Sequence, residues 1–327
     1  MHIAFALPGR ADTGGGGLAY AEAMAAALRA TGHAADVMED DNPAWPPGAV
    51  PVIDGLLLPH LLPRLDELAE AGAAALIHHA LARAGRDPRQ RAEVVDALRT
   101  MLPRLRRVVA TSRPVAERLA GEFGLQAVDV VEPGAPDLPR NTPGSGTCRI
   151  VSVGVLTPRK GHDVLLRALA RLLDLDWVLT IAGSAGRDPD HAARLAALIP
   201  ELGLNGRVRL VADADGAALD ALWREAHLFA LASRWEGYPA GVMEALRRGI
   251  PVVVTEGGKP GGISASVPPG AGAVCALEDE PTLSKCLRRM VFDAGLRAEM
   301  AENAWRAGQR LPGWAAQAAL LEQALEG

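Results

Sequence analysis

The chain has 327 residues, enough for two domains that each bury a sizeable core. With 49% hydrophobic and 22% charged residues it has ordinary globular composition, and a formal net charge of -5 excludes general nucleic-acid binding. Three cysteines, Cys148, Cys275 and Cys286, lack metal-ligand spacing and rule out a complete disulfide framework, so a reducing cytoplasm is the expected compartment.

The apolar run at residues 1–8 is too short for a signal peptide and has no basic leader, and no segment reaches the length of a membrane span, so a soluble protein is expected. Short apolar runs then alternate with helical stretches to the end of the chain, the pattern of parallel sheets with crossover helices; the fold class is α/β. Strands are predicted near 2–7, 34–38, 50–54, 73–78, 107–111 and 127–131, and helices near 17–31, 60–71, 88–102 and 113–123. Together they form a first doubly wound Rossmann-like domain over 1–132. Residues 133–147, dense in Pro and Gly, read as a linker. The pattern restarts over 148–310, with strands near 149–154, 177–182, 207–211, 227–232, 251–255 and 272–275. Helices are predicted near 161–173, 190–203, 216–226, 240–248 and 281–293. The tail from 295 is helical, broken at Leu311-Pro312-Gly313, and its last helix, 311–327, is free to return to the first domain. Two such domains facing each other would leave a ligand cleft at the carboxyl ends of their strands.

Four strand-to-helix loops carry chemistry. Gly14 to Gly17 follow the first strand, and glycines there let a ligand approach the backbone at a helix N-terminus; a merely flexible loop is the alternative. His78 and His79 end a strand of the first domain, where an imidazole can donate or accept near neutral pH; His78 is favoured because it directly continues the strand. Arg159 and Lys160 precede a helix start, and a guanidinium fork beside an ammonium suits a polyanion. Glu236 lies in the loop after a buried strand, and Glu244 about one turn inside the next helix; such carboxylates accept from sugar hydroxyls beside amides that hold phosphate. The paired acids Asp174 and Asp176, Asp188 and Asp190, and Asp213 and Asp215 suffice as caps and turns, so no metal is expected. Arg99, Arg104, Arg106, Arg107 and Arg113 form a solvated face, with weak peripheral contact to an anionic inner-membrane surface as the other reading.

The loop from Val153 to Gly161 and the Glu236 to Glu244 element, with seven residues between the acids, resemble glycosyltransferase family 4, the retaining enzymes of the GT-B fold. The resemblance runs over nearly the whole chain and is strongest across 148–260. It implies a retaining, metal-independent hexosyltransferase-like enzyme with a nucleoside-diphosphate-sugar donor and a sugar, lipid-linked or small-molecule acceptor. Arg159 and Lys160 would hold the diphosphate, Glu244 the ribose, and Glu236 the transferred sugar. The glycine loop at 14–17 matches the family's N-terminal glycine loop, with Gly15, Gly16 and Gly17 at the donor, and His78 or His79 matches its donor-contacting histidine. Gly237, Tyr238, Ala240, Gly241 and Val242 complete the donor loop. Pro239 stands where the family usually has Gly, so amide contacts would shift to Ala240, Gly241 or Val242. Gly261 replaces a common acid in the loop at 256–263, and residues 40–48 are compressed, trimming the acceptor side. A nucleotide-sugar-binding protein without turnover, or a nicotinamide-dependent oxidoreductase resting on the glycine loop, are the other readings.

Overall fold

The computed structural model describes residues 1–9, 16–78, 88–214, 216–257 and 263–327. The chain divides into two units, one of residues 1–134 with 312–327 and the other of residues 135–311.

The first unit is built from β1 (His2–Leu7), α1 (Gly16–Ala30), β2 (Ala34–Glu39), β3 (Val50–Asp54), α2 (Leu65–Glu70), β4 (Ala74–Ile77), α3 (Pro88–Met101), β5 (Arg107–Ala110), α4 (Arg113–Phe123) and β6 (Asp129–Val130). Its six strands are parallel in the order β2-β1-β3-β4-β5-β6. Strand alternation sends Ile3, Phe5, Leu7, Val52 and Leu76 into one core and Ala6, Ile53, Ala75 and Ile77 into another. Both sheet faces are thus covered, which is why the strands read as continuous apolar runs.

The helix predicted over 60–71 is a 3-10 segment, Leu58–Arg64, followed by the six-residue α2. Pro63 has no N–H for an α-helical bond and its ring crowds the preceding turn, so the regular helix starts only after it.

The second unit comprises β7 (Cys148–Val153), α5 (His162–Leu169), β8 (Trp177–Ala182), α6 (Pro189–Glu201), β9 (Val208–Val211), α7 (Gly216–Glu225), β10 (Leu228–Leu231), α8 (Ala240–Arg247), β11 (Val252–Thr255), β12 (Gly272–Cys275), α9 (Glu280–Phe292) and α10 (Ala294–Gly308). Its sheet is also parallel, in the order β12-β11-β10-β7-β8-β9. Here Ile150, Leu228 and Ala230 face one core while Val151, Phe229 and Leu231 face the other.

Residues 135–147 carry no helix and belong to this second unit. The Asn141 amide donates to Arg248 O at 2.7 Å, and Arg140 pairs with Glu302 at 2.7 Å.

The last helix, α11 (Trp314–Glu326), belongs to the first unit. Ala318, Leu321 and Leu325 recur at helical spacing and enter the core that holds Tyr20 and Met24 of α1. A Cβ on Gly134 would fall 2.4 Å from Trp314 Cα, so the absent side chain is what admits the returning helix.

Candidate active site

In an open parallel sheet, ligands bind where the chain order reverses, because the loops leaving the two strands there run in opposite directions and open a crevice. In the second unit that point lies between β7 and β10. The loop after β7 contributes Arg159 and Lys160, the loop after β10 contributes Glu236, and the two meet. Arg159 reaches Glu236 Oε2 at 2.8 Å, Lys160 reaches Oε1 at 2.6 Å, and the Ser233 hydroxyl donates to Oε1 at 2.6 Å. The Glu236 side chain is only 4% exposed. Burial opposes its ionisation, but Lys160 and Arg159 outweigh burial and hold the carboxyl below the usual value. Burial draws Lys160 below the ordinary ammonium value, which Glu236 opposes.

Glycines make this convergence sterically possible. A Cβ on Gly154 would sit 2.9 Å from Lys160 Cε, so the empty position houses the lysine stem. Gly161 has φ +61° and a Cβ there would overlap Ala232 O at 1.9 Å. Gly161→Ala is therefore expected to cost about 1–2 kcal/mol from the left-handed backbone alone, and more from the overlap, with the loop displaced from β10. Urea unfolding checks the stability; an alanine variant as stable as the wild type would contradict the close packing.

Arg234 fastens the same loop. Its amide donates to Arg159 O at 2.8 Å, its guanidinium donates to Pro158 O, and two bonds of 3.0 Å reach the Asp163 carboxylate. Glu278 joins from a left-handed backbone conformation, φ 57°. Burial opposes ionisation of Asp163, yet hydrogen bonds from Arg234 and Arg167 bring its pKa from 3.8 down to about 2. A lowered carboxyl pKa contributes stability above the unfolded value and loses it as pH falls through the folded one. Asp163→Asn is therefore expected to be less stable than wild type at pH 7, with the difference closing between about pH 4 and pH 2. Denaturant midpoints measured across that range test it, and a difference independent of pH would refute it.

Glu244 lies in α8, its side chain 29% exposed, and is held by Arg248 at 3.0 Å; Arg248 also reaches Asp220 at 2.7 Å. Burial raises the Glu244 pKa, against the pull of Arg248. Gly237 is buried and Tyr238 half-buried, while Ala240 is exposed. Of the amides expected to replace the one absent at Pro239, those of Ala240 and Val242 donate to Tyr238 O and Pro239 O at 3.0 and 2.9 Å. Gly241 lies against Phe229, where a Cβ would fall 2.9 Å from the ring.

In the first unit the reversal lies between β1 and β3. Gly16 and Gly17 open α1, and His78 follows β4, 3.5 Å from Asp54. Gly15 and His79 lie outside the described residues, as do Gly14 and Gly261. Sequence reasoning missed Asp54, Ser233, Arg234 and Arg248. An acid closing the run Val50-Pro-Val-Ile-Asp54 was the available signal for the first; the others are polar residues that only a spatial partner distinguishes.

Three of the paired acids have protein partners. Asp188 caps α6 by accepting from the His191 amide at 2.9 Å, Asp174 takes Arg288 at 2.7 Å, and Asp176 accepts from Thr147 at 3.0 Å. Asp213 has φ 49°, and Asp215 is outside the described residues. No group of three or more metal-ligating side chains occurs among the described residues. Of the first-unit arginines, Arg99 pairs with Asp96, Arg104 with Asp66, and Arg106 donates to Glu326 O. No helix of the described residues is long and apolar enough to cross a membrane.

The architecture is that of the two-unit GT-B fold. Sucrose-phosphate synthase from Thermosynechococcus elongatus superposes with a TM-score of 0.81 at 18% identity, covering 99% of this chain and 98% of that one. Anabaena Alr3699/HepE, solved with UDP and glucose, gives 0.75 at 18% identity over 100% and 99% of the two chains. Residues 140–306, half of the chain, match the family described as glycosyl transferases group 1, and the chain belongs to that family. Among its relatives, the D-inositol 3-phosphate glycosyltransferase of Salinispora arenicola is 30% identical over 263 residues, 72% of this chain and 58% of the relative. That of Corynebacterium jeikeium is 33% identical over 219 residues, 60% and 51%. The chain thus spans between half and three-fifths of the length of these relatives.

Proposed function

We propose that this protein transfers a hexose or related sugar from a nucleoside diphosphate to an acceptor hydroxyl, with retention at the anomeric carbon and without a metal ion. The observation that carries the reading is the convergence of Arg159 and Lys160 on Glu236 at the switch point of the second unit. Two cations around a buried acid are a site for a diphosphate that carries a polyhydroxy group. As the bond from C1 to the phosphate oxygen breaks, charge accumulates on the leaving diphosphate, and a guanidinium and an ammonium already in place stabilise it without reorganisation. The acceptor oxygen bonds to C1 on the same face, and its proton passes to the departing phosphate, so no protein nucleophile is needed. Glu236 is assigned to hydroxyls of the transferred sugar and Glu244, steadied by Arg248, to the ribose. The names of the relatives and the UDP and glucose held by Alr3699/HepE support a sugar-transfer role.

Incubation with UDP-, GDP- and ADP-sugars, with and without a chelator, tests the reading through release of the nucleoside diphosphate. Release by the wild type, unchanged by chelator and lost in Glu236→Ala, is the expected outcome. Equal background rates in both proteins, with nucleotide binding intact, would leave a binding protein without turnover. Tight NADH binding with no response to UDP or GDP would favour an oxidoreductase.

A further inference from the structure

The sheet of the second unit is covered unevenly. On one face Ile150, Leu179 and Ile181 pack into a core with residues of α5, α6 and α9. On the other, Val151, Phe229, Leu231 and Val252 pack with Trp223 of α7 and with Val242 and Leu246 of α8. Val178 and Thr180 of β8 belong to this second face, because side chains alternate and Leu179 between them enters the first core. Neither joins the second core, both are only half-buried, and Arg209 of the neighbouring β9 is exposed. A cavity of about 380 Å³ lies there, over the amino-terminal halves of β7, β8 and β9. That volume suits a small ligand, and the position is the end of the sheet opposite to the loop of Arg159 and Lys160.

Strand register sets what lines the cavity. Val151 pairs with Thr180, Thr180 pairs with Arg209, and Arg149 pairs with Val178, and partners in a parallel ladder share a face. One row therefore runs from an apolar residue through a hydroxyl to a guanidinium, and the row beside it begins with a second guanidinium. Leu222 of α7 closes the apolar side, and Glu225 at the end of the same helix lies 3.8 Å from Arg149. Arg207, at the rim, donates to Leu175 O and Leu173 O at 2.7 and 3.1 Å. Among the described residues, no acid pairs with Arg207 or Arg209, and no protein group bonds the Thr180 hydroxyl. Three arginines against one glutamate leave an excess of two positive charges beside an apolar floor.

We propose that this cavity is a ligand site for a small organic phosphate monoester, with the phosphate on Arg149, Arg209 and Thr180 and the organic body on Val151, Val178 and Leu222. A phosphate monoester carries close to two negative charges at neutral pH, which matches the excess, whereas a monocarboxylate would leave one guanidinium uncompensated. Guanidinium forks pair with phosphate oxygens, and a threonine hydroxyl donates to the oxygen that remains. None of these residues belongs to the loops that carry Arg159, Lys160 and Glu236, so binding here is independent of sugar transfer.

Isothermal titration with butyl phosphate and with inorganic phosphate tests the site. The wild type is expected to bind butyl phosphate about 10-fold more tightly than inorganic phosphate, since burying two methylenes supplies that ratio. Arg209→Gln and Arg149→Gln should each weaken butyl phosphate by about 10–100-fold, the loss of a hydrogen bond to a charged group. Arg209 is exposed and Arg149 half exposed, so both variants should melt within a few degrees of the wild type. Arg159→Ala should bind the ester as the wild type does, which separates this cavity from the loop at the other end of β7. No saturable binding by the wild type, equal affinity for the two phosphates, full affinity in either glutamine variant, or loss of binding in Arg159→Ala would overturn the proposal. A concentration-dependent dimer, seen by sedimentation and lost in Arg209→Gln, would overturn it too by making the face a contact between copies.

Discussion

Replacing Arg159 and Lys160 together by alanine, in a Glu236→Gln background that leaves no unpaired buried carboxylate, removes the rise in melting temperature that a nucleoside diphosphate produces. A ligand present at 100 times its dissociation constant stabilises the folded state by about 2.7 kcal/mol, a readily measured shift. A hydrogen bond to a charged group contributes about 1.5–3 kcal/mol, so losing both cations lowers affinity by roughly 10²–10⁴-fold. Glu236→Gln alone should keep the nucleotide shift, because the cations proposed to hold the diphosphate remain. In an otherwise wild-type protein, on the proposed reading, Arg159→Ala should slow transfer by about 10²–10³-fold, since its guanidinium would face the charge that develops on the leaving group. Differential scanning fluorimetry with UDP, GDP and ADP reads the binding arm. A full shift in the triple variant would move the nucleotide away from the β7 and β10 loops.

Lys160→Ala in the otherwise native chain has the largest expected effect on stability, about 3–5 kcal/mol, because it strands Glu236 in a site where only 4% of the carboxylate side chain is exposed. Arg159 remains but is itself 37% exposed and offers weaker compensation. The pH dependence has a definite sign. In the wild type the Glu236 carboxyl sits below its ordinary value, so its contribution is present above the unfolded value of about 4.3 and lost as pH falls through the folded one. Without Lys160 that contribution shrinks. The gap between the two proteins should be widest near neutral pH and should narrow in acid. Lys160→Met combined with Glu236→Gln should recover most of the loss, since neither side chain is then a buried charge. Urea unfolding at about pH 7 and pH 4 measures both effects; a gap that does not change with pH, or a double variant as unstable as Lys160→Ala, would disprove the coupling.

Much of the fold is legible along the chain. The strands at 177–182 and 272–275 and the helix at 113–123 begin and end where periodicity placed them, because apolar runs bounded by turn residues admit few alternatives. The predicted helix at 60–71 differs because Pro63 removes a donor inside the apolar pattern, a local conflict that periodicity alone overrides. The candidate site was readable in part for a similar reason. Arg159 with Lys160 and Glu236 with Glu244 stand out as charged residues in loops that follow buried strands.

Order along the chain thus specifies which segments are strands, which loops leave their carboxyl ends, and which of those loops carry charge. It does not specify which loops are neighbours. Glu236 follows Lys160 by 76 positions, and they touch because β10 pairs with β7 while β8 lies on β7's other side. Asp54 and His78 meet for the same kind of reason, through the register of β3 on β4 and the missing side chain of Gly17. Local periodicity records whether a residue is buried, whereas pairing across a parallel sheet depends on crossover topology, and one residue alone carries no trace of it. The ion pairs around Glu236 and the pairing of Asp54 with His78 are consequences of that topology.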